Sequence, residues 1–215
     1  MSAPQAEPLY ESGEGALLLA DISGYTSFLQ AVATAHAHDA FAGGNIPEAY
    51  RLMSSLLDGI VGSVVPPFTL SKLEGDAVFA YGRLGPDIPR GTAMLDCIRR
   101  CHADFRDRLA DVGQVWTCSC EACLRAATLD LKFVLHTGGY VAQRIAGSHE
   151  VSGPSVVMAH RLLKNRAATV IGTGAYALLT DAAVSALDVP VESAVPMTEE
   201  VEHYAPIRTF VFALT

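Results

Sequence analysis

The sequence predicts an α+β fold, with one mostly antiparallel sheet covered by helices on one face. Three observations carry that prediction. Helical segments separate pairs of strand-like segments, in the order β-α-α-β-β-α-β-β-α-β-α-β-β. Residues Ala16 to Ala20 read ALLLA, a continuous apolar run of the kind found in strands buried on both faces. Half of the 215 residues are hydrophobic, which suits a single well-packed domain and excludes intrinsic disorder. The expected organisation is a flexible acidic segment over 1–14, one domain over 15–215, and a cysteine-rich insertion at 116–125.

The elements follow in order. The first strand ends at Asp21, Ser23-Gly24 turns the chain, and Tyr25 to Thr34 has helical spacing. A loop marked by Gly43-Gly44 leads to Pro47 at a first helical turn. The helix over 49–64 places Leu52, Leu56, Ile60 and Val64 on one stripe, and Pro66-Pro67 ends it. Strands at 68–73 and 77–81 flank the hairpin signal Glu74-Gly75-Asp76. A helix over 91–109 turns Met94, Leu95, Ile98, Phe105 and Leu109 inward. Alternation at Leu129, Leu131, Phe133 and Leu135 predicts a strand to His136, bent at Thr137-Gly138-Gly139 into a second strand near 140–145. A helix over 154–164, a strand at 176–179, a helix over 181–187 and strands at 198–203 and 208–214 complete the chain.

Charge narrows the function classes. Fifteen basic against 23 acidic side chains give a formal charge of −8, and only Lys72, Lys132 and Lys164 are lysines. No basic run exists to track a phosphate backbone, so no nucleic-acid partner is expected. An acidic protein would take a polyphosphate ligand together with a divalent cation. No segment approaches the ~20 apolar residues that span a bilayer, and Met1 to Gly15 lacks a signal-peptide pattern. No membrane partner is expected, and the expected location is the cytoplasm, where disulfides are rare and cysteines mean burial or metal.

Three motifs carry chemistry. Leu17 to Leu29 reads LLLADISGYTSFL, Lys72 to Asp76 reads KLEGD followed by AVFAYG, and Phe133 to Arg161 reads FVLHTGGYVAQRIAGSHEVSGPSVVMAHR. In this order the three resemble the metal, hairpin and helix motifs of the class III nucleotidyl cyclases, over roughly residues 14 to 214. The resemblance implies a ferredoxin-like cyclase fold and a head-to-tail homodimer whose sites are composite. It implies Mg²⁺ or Mn²⁺ held by Asp21 and Asp76, with the carbonyl of Ile22 as an extra ligand. Such hard cations take carboxylate and phosphate oxygens. Backbone amides around Gly24, Tyr25 and Thr26 would cradle the triphosphate at a helix start. Lys72 and Glu150 fall on base-reading positions of the neighbouring subunit, and Arg161 on the catalytic arginine that stabilises the transferring phosphate. The plain alternatives are a helix cap for Asp21, a turn residue for Asp76, a solvated lysine for Lys72 and a surface cation for Arg161.

Two departures weigh against catalysis. Val157 occupies the position of the asparagine that orients the ribose, and a valine offers no hydrogen bond. No lysine follows Lys164 to meet the γ-phosphate, although Arg166 or Arg208 could substitute. The reading is therefore a cyclase-like protein that binds a nucleoside triphosphate, ATP favoured, with slow or degenerate catalysis. The alternatives are an active adenylate cyclase releasing cyclic AMP and pyrophosphate, and a non-catalytic module for another small ligand.

Cys118, Cys120 and Cys123 form C-x-C-x-x-C inside the insertion, a segment that the common cyclase pattern lacks. Three close thiolates suit structural Zn²⁺. Cys97, Cys101 or His102, on the preceding helix, are the expected source of a further ligand. A redox dithiol is the competing reading. His36, His38 and Asp39 could be metal ligands, since H-x-H places both rings on one side of an extended segment, but two histidines in an Ala-rich loop are more often solvated. His136 reads as a packing or hydrogen-bonding residue, and His149 and His160 receive no acid–base role.

Overall fold

The computed structural model describes residues 10–37, 47–145 and 148–214. Its centre is β1 (Tyr10–Ser23), which pairs antiparallel with β3 (Ala77–Arg83) on one side and β4 (Asp130–Ile145) on the other. β2 (Thr69–Glu74) closes one edge against β3. Beyond β4 come β6 (Tyr176–Thr180), β8 (Ile207–Ala213) and β7 (Val195–Glu199), with β6 parallel to β4 and the other pairs antiparallel. β5 (Ser148–Ser152) pairs with the outer half of β4.

Every side chain of the ALLLA run is buried, and successive residues join opposite cores. Ala16, Leu18 and Ala20 pack under α2 (Glu48–Val64) and α3 (Thr92–Val115), beside α1 (Tyr25–Ala35) and α7 (Asp181–Leu187). Leu17 and Leu19 pack with Val156, Ala159 and Leu162, on or beside α5 (Pro154–Arg161), and with Ala167 of α6 (Ala167–Ile171). Helices therefore cover both faces rather than the one expected. An unbroken apolar strand demands this, because either uncovered face would leave leucines in water.

Three strand expectations also change. β1 starts at Tyr10, so residues 10–14 belong to the sheet, with Tyr10 opposite Gln143 and Glu14 opposite Gly139. β4 runs straight through Thr137-Gly138-Gly139 as one strand, because that partner supplies a ladder along its whole length. The glycines serve close approach instead: a Cβ on Gly138 would collide with Ser155 of α5. β7 lies at Val195–Glu199, ahead of the expected 198–203. The insertion is more regular than its sequence suggests, with a short helix, α4 (Glu121–Leu124), and a 3₁₀ turn at Arg125–Thr128. Among the described residues no helix is long and apolar enough to cross a membrane.

Candidate functional site

The β1–β3 register brings two carboxylates together. Asp21 stands opposite Ala77 and Lys132 on its neighbouring strands, and Asp76 precedes Ala77 in the hairpin turn. Gly75 supplies the positive φ of 68° that this tight turn needs. The amide of Ile22 donates to the Asp76 carbonyl at 3.2 Å, which locks the turn onto the end of β1. Burial pushes the Asp76 carboxyl above its ordinary value, and the charge of Asp21 beside it adds to the rise. Two acceptor-only groups facing one another are unfavourable unless a proton or cation lies between them. Lys132 meets part of that need, its Nζ 2.8 Å from Asp21 Oδ2. The sequence reading missed Lys132; its signal was one of only three lysines in the chain, set between Leu131 and Phe133 on the alternating strand.

α1 begins directly after this pair. Its cap is Gly24, in the left-handed conformation at φ 87°, and no side chain caps the first turn. Asp21 is therefore not a helix cap. The leading amides of α1, near Tyr25 and Thr26, have no intrahelical acceptor and carry the positive end of the helix dipole. Burial raises the Tyr25 hydroxyl above its usual value, and the charge of nearby Asp76 raises it further. An oxygen-only donor set of two carboxylates beside free amides fits a hard divalent cation with a phosphate.

Lys72, Glu150 and Arg161 occupy a different place. Lys72 on β2 lies 3.3 Å from Glu150 Oε2 and 3.2 Å from Glu74 Oε1. Partial burial works against its charge, but the two carboxylates more than compensate and hold its pKa above the ordinary value. His160 Nε2 also lies 2.9 Å from Glu74 Oε2. Arg161 donates to the Glu202 carbonyl at 3.1 Å. A groove of about 820 Å³ runs past Lys72, Glu74, Val157, His160, Arg161 and Lys164. Val157 is 46% exposed there, so no packing role accounts for it. Neither Asp21 nor Asp76 lines this groove. Glu74 and His160 were missed as partners in the sequence, although strand alternation already places Lys72 and Glu74 on one side of β2.

The cysteines form a third cluster. Cys118, Cys120, Cys123 and His36 offer ligand atoms that all lie within 4.8 Å of one another. The fourth member is thus His36, from the end of α1, and not the expected Cys97, Cys101 or His102. Cys97 and Cys101 are buried in the core, and burial pushes the Cys101 thiol up to about 12. His102 instead holds Asp130 Oδ1 at 2.9 Å. Within the cluster, the Cys123 amide hydrogen-bonds Cys120 Sγ and brings that thiol down to about 7, whereas burial lifts Cys123 to about 12. No cysteine is in a disulfide. His38 and Asp39 lie outside the described residues. His136 is a packing residue that bonds Thr180 Oγ1 at 2.9 Å, and burial lowers its pKa.

Comparison with known proteins agrees with this architecture. A family model described as "Protein of unknown function (DUF2652)" matches residues 53–170. The "Uncharacterized protein Rv2561/Rv2562" of Mycobacterium tuberculosis is 30% identical over 169 residues, 74% of this chain and 73% of its own length. Among solved structures, the guanylyl cyclase Cya2 superposes with a TM-score of 0.65 at 14% identity, covering 95% of this chain and 98% of that one. A class III adenylyl cyclase-like ATP-binding protein from Pseudomonas aeruginosa superposes with a TM-score of 0.58 at 15% identity, over 84% of this chain and 36% of that one. At such identities the likeness establishes the fold, which is that of the class III cyclase catalytic domains.

Proposed function

Because this chain belongs to the DUF2652 family and has the class III cyclase fold, we propose that it binds a nucleoside triphosphate, ATP favoured, with Mg²⁺ or Mn²⁺ and turns it over slowly or not at all. The observation that carries the reading is the apposed Asp21–Asp76 pair beside the uncapped start of α1. A divalent cation bound there would neutralise phosphate oxygens that an acidic protein otherwise repels. Asp21 and Asp76 would hold it with the Ile22 carbonyl, while the amides after Gly24 orient the phosphate chain. Lys132 keeps Asp21 neutralised in the metal-free chain and would yield that contact on loading.

Lys72 and Glu150, 3.3 Å apart, would serve as a donor–acceptor pair for a base edge, and Arg161 lines the groove past Lys72 with its charge half-exposed. These three and the carboxylates occupy separate parts of one chain, which supports a composite site made by two head-to-tail copies. Val157 is the reason to expect weak turnover. Without a hydrogen bond there, the attacking hydroxyl loses its orientation, a loss of ~10²-fold or more. Active cyclisation is the second reading, favoured by Lys72 and Arg161 lining one groove, with Glu150 paired to Lys72. The three cysteines have a separate, structural part as ligands of Zn²⁺.

The test is Mn²⁺-dependent binding of ATP and GTP by calorimetry, with cyclic product followed by mass spectrometry. Asp21→Ala and Asp76→Ala are each expected to weaken binding at least about tenfold. Val157→Asn is expected to leave affinity within about twofold and to raise turnover, since it restores a group used in the transition state. Triphosphate binding that ignores both aspartates overturns the reading, and strong wild-type turnover selects the active enzyme.

A further inference from the structure

We propose that one Zn²⁺ ion, held tetrahedrally by His36, Cys118, Cys120 and Cys123, fastens the C-terminal end of α1 to the cysteine-rich insertion and so sets the position of the phosphate-facing turn at its other end. The first half extends the zinc reading of the cysteines with a ligand and a mechanical role. The link to the turn rests on the triphosphate reading of Asp21 and Asp76.

The geometry around His36 carries the ligand set. Its Nε2 lies 3.4 Å from Cys120 Sγ, 3.4 Å from Cys123 Sγ and 3.7 Å from Cys118 Sγ. A neutral imidazole nitrogen has one proton or one lone pair, so it cannot hydrogen-bond three sulfurs at once. A tetrahedral zinc explains the convergence. Zn–S of about 2.3 Å and Zn–N of about 2.0 Å place sulfur about 3.5 Å from nitrogen, which is the observed spacing. The support around the ligands is also in place. Cys120 Sγ accepts the Cys123 amide, and the Glu48 carboxylate accepts the amides of Thr117 and Cys118 and the Thr117 hydroxyl.

The mechanical role follows from where His36 sits. It is the C-cap of α1, an 11-residue helix that buries Phe28 and Val32 fully and packs Tyr25 and Leu29 partly against the same core. These four contacts, at 25, 28, 29 and 32, follow one narrow stripe and leave rocking of the helix about it weakly resisted. A metal bond at the far end removes that freedom. A helix this short is rigid, about 16 Å end to end, so fixing its C-terminus also fixes the amides that follow Gly24.

The experiment uses the full chain. Elemental analysis is expected to give one zinc per chain, and Co²⁺ replacement the visible absorption of a tetrahedral thiolate site. His36→Ala is expected to weaken zinc at least about tenfold and alter the Co²⁺ spectrum, whereas His36→Cys retains the metal. Removing zinc is expected to raise amide hydrogen exchange in α1 at least about tenfold while β1 and β4 stay protected. No zinc in the metal-replete protein, or unchanged affinity and spectrum in His36→Ala, overturns the ligand set. Unchanged α1 exchange after zinc removal overturns the clamp. If the zinc-loaded chain binds no Mn²⁺–triphosphate, the nucleotide reading fails while the clamp stands on exchange alone. If it binds equally well without zinc, the link between the two sites fails.

Discussion

Asp130 illustrates how single side chains hold the site-bearing strands in register. Burial works against its ionisation, but the His102 ring and the Leu131 amide stabilise the carboxylate and keep its pKa below the ordinary value. The pair ties the start of β4 to α3, and Lys132 follows two positions later. A lowered folded pKa contributes stability above the ordinary value of 3.8 and loses it as pH falls through the folded value. Asp130→Asn is therefore expected to cost about 1 kcal/mol at neutral pH. Urea unfolding of both proteins should show the gap closing in acid, and a gap independent of pH would assign the effect to packing.

At the level of elements, the approach of α5 to β4 decides where Arg161 and Val157 point. Gly138 permits that approach, since Ser155 occupies the space of any side chain there. Gly138→Ala is expected to destabilise by about 1–3 kcal/mol through overpacking. Ser155→Gly in the same chain should recover most of that loss, as measured by denaturant midpoint. A double variant as unstable as the single one would place the strain elsewhere. The outer half of the β1–β4 pair carries Tyr10, Val141 and Ile145 exposed at 69%, 36% and 52%.

The whole molecule separates the Asp21–Asp76 pair from the groove that Lys72 and Arg161 line, with Glu150 paired to Lys72 beside it. On the composite-site proposal one copy offers two incomplete halves, and a two-fold dimer would supply each with its complement. Light scattering at tens of micromolar is expected to give a dimer. Mixing Asp21→Ala with Lys72→Ala protomers should restore roughly a quarter of wild-type triphosphate sites, because half the dimers would be mixed and each would hold one intact site. A monomer with and without nucleotide, or no restoration on mixing, would reject the composite site.

Local pattern alone determined much of this protein. The ALLLA run, the stripe of Leu52, Leu56 and Ile60, and the alternation from Leu129 to Leu135 each encode an element through burial of its own neighbours, so strand and helix order were legible. The three cyclase-like motifs were legible for the same reason, each lying within a short stretch of chain. What tertiary structure decided is what joins distant residues. Helices on the second face, the unbroken β4 and the inclusion of Tyr10 in β1 depend on a partner strand or helix that no local window contains. Lys132 on Asp21, Glu74 beneath Lys72 and His36 on the cysteines were hidden likewise. Among these, His36 is the clearest case: 82 residues separate it from Cys118, its local sequence is that of a solvated loop, and only the packing of α1 against α4 brings its ring to the sulfurs.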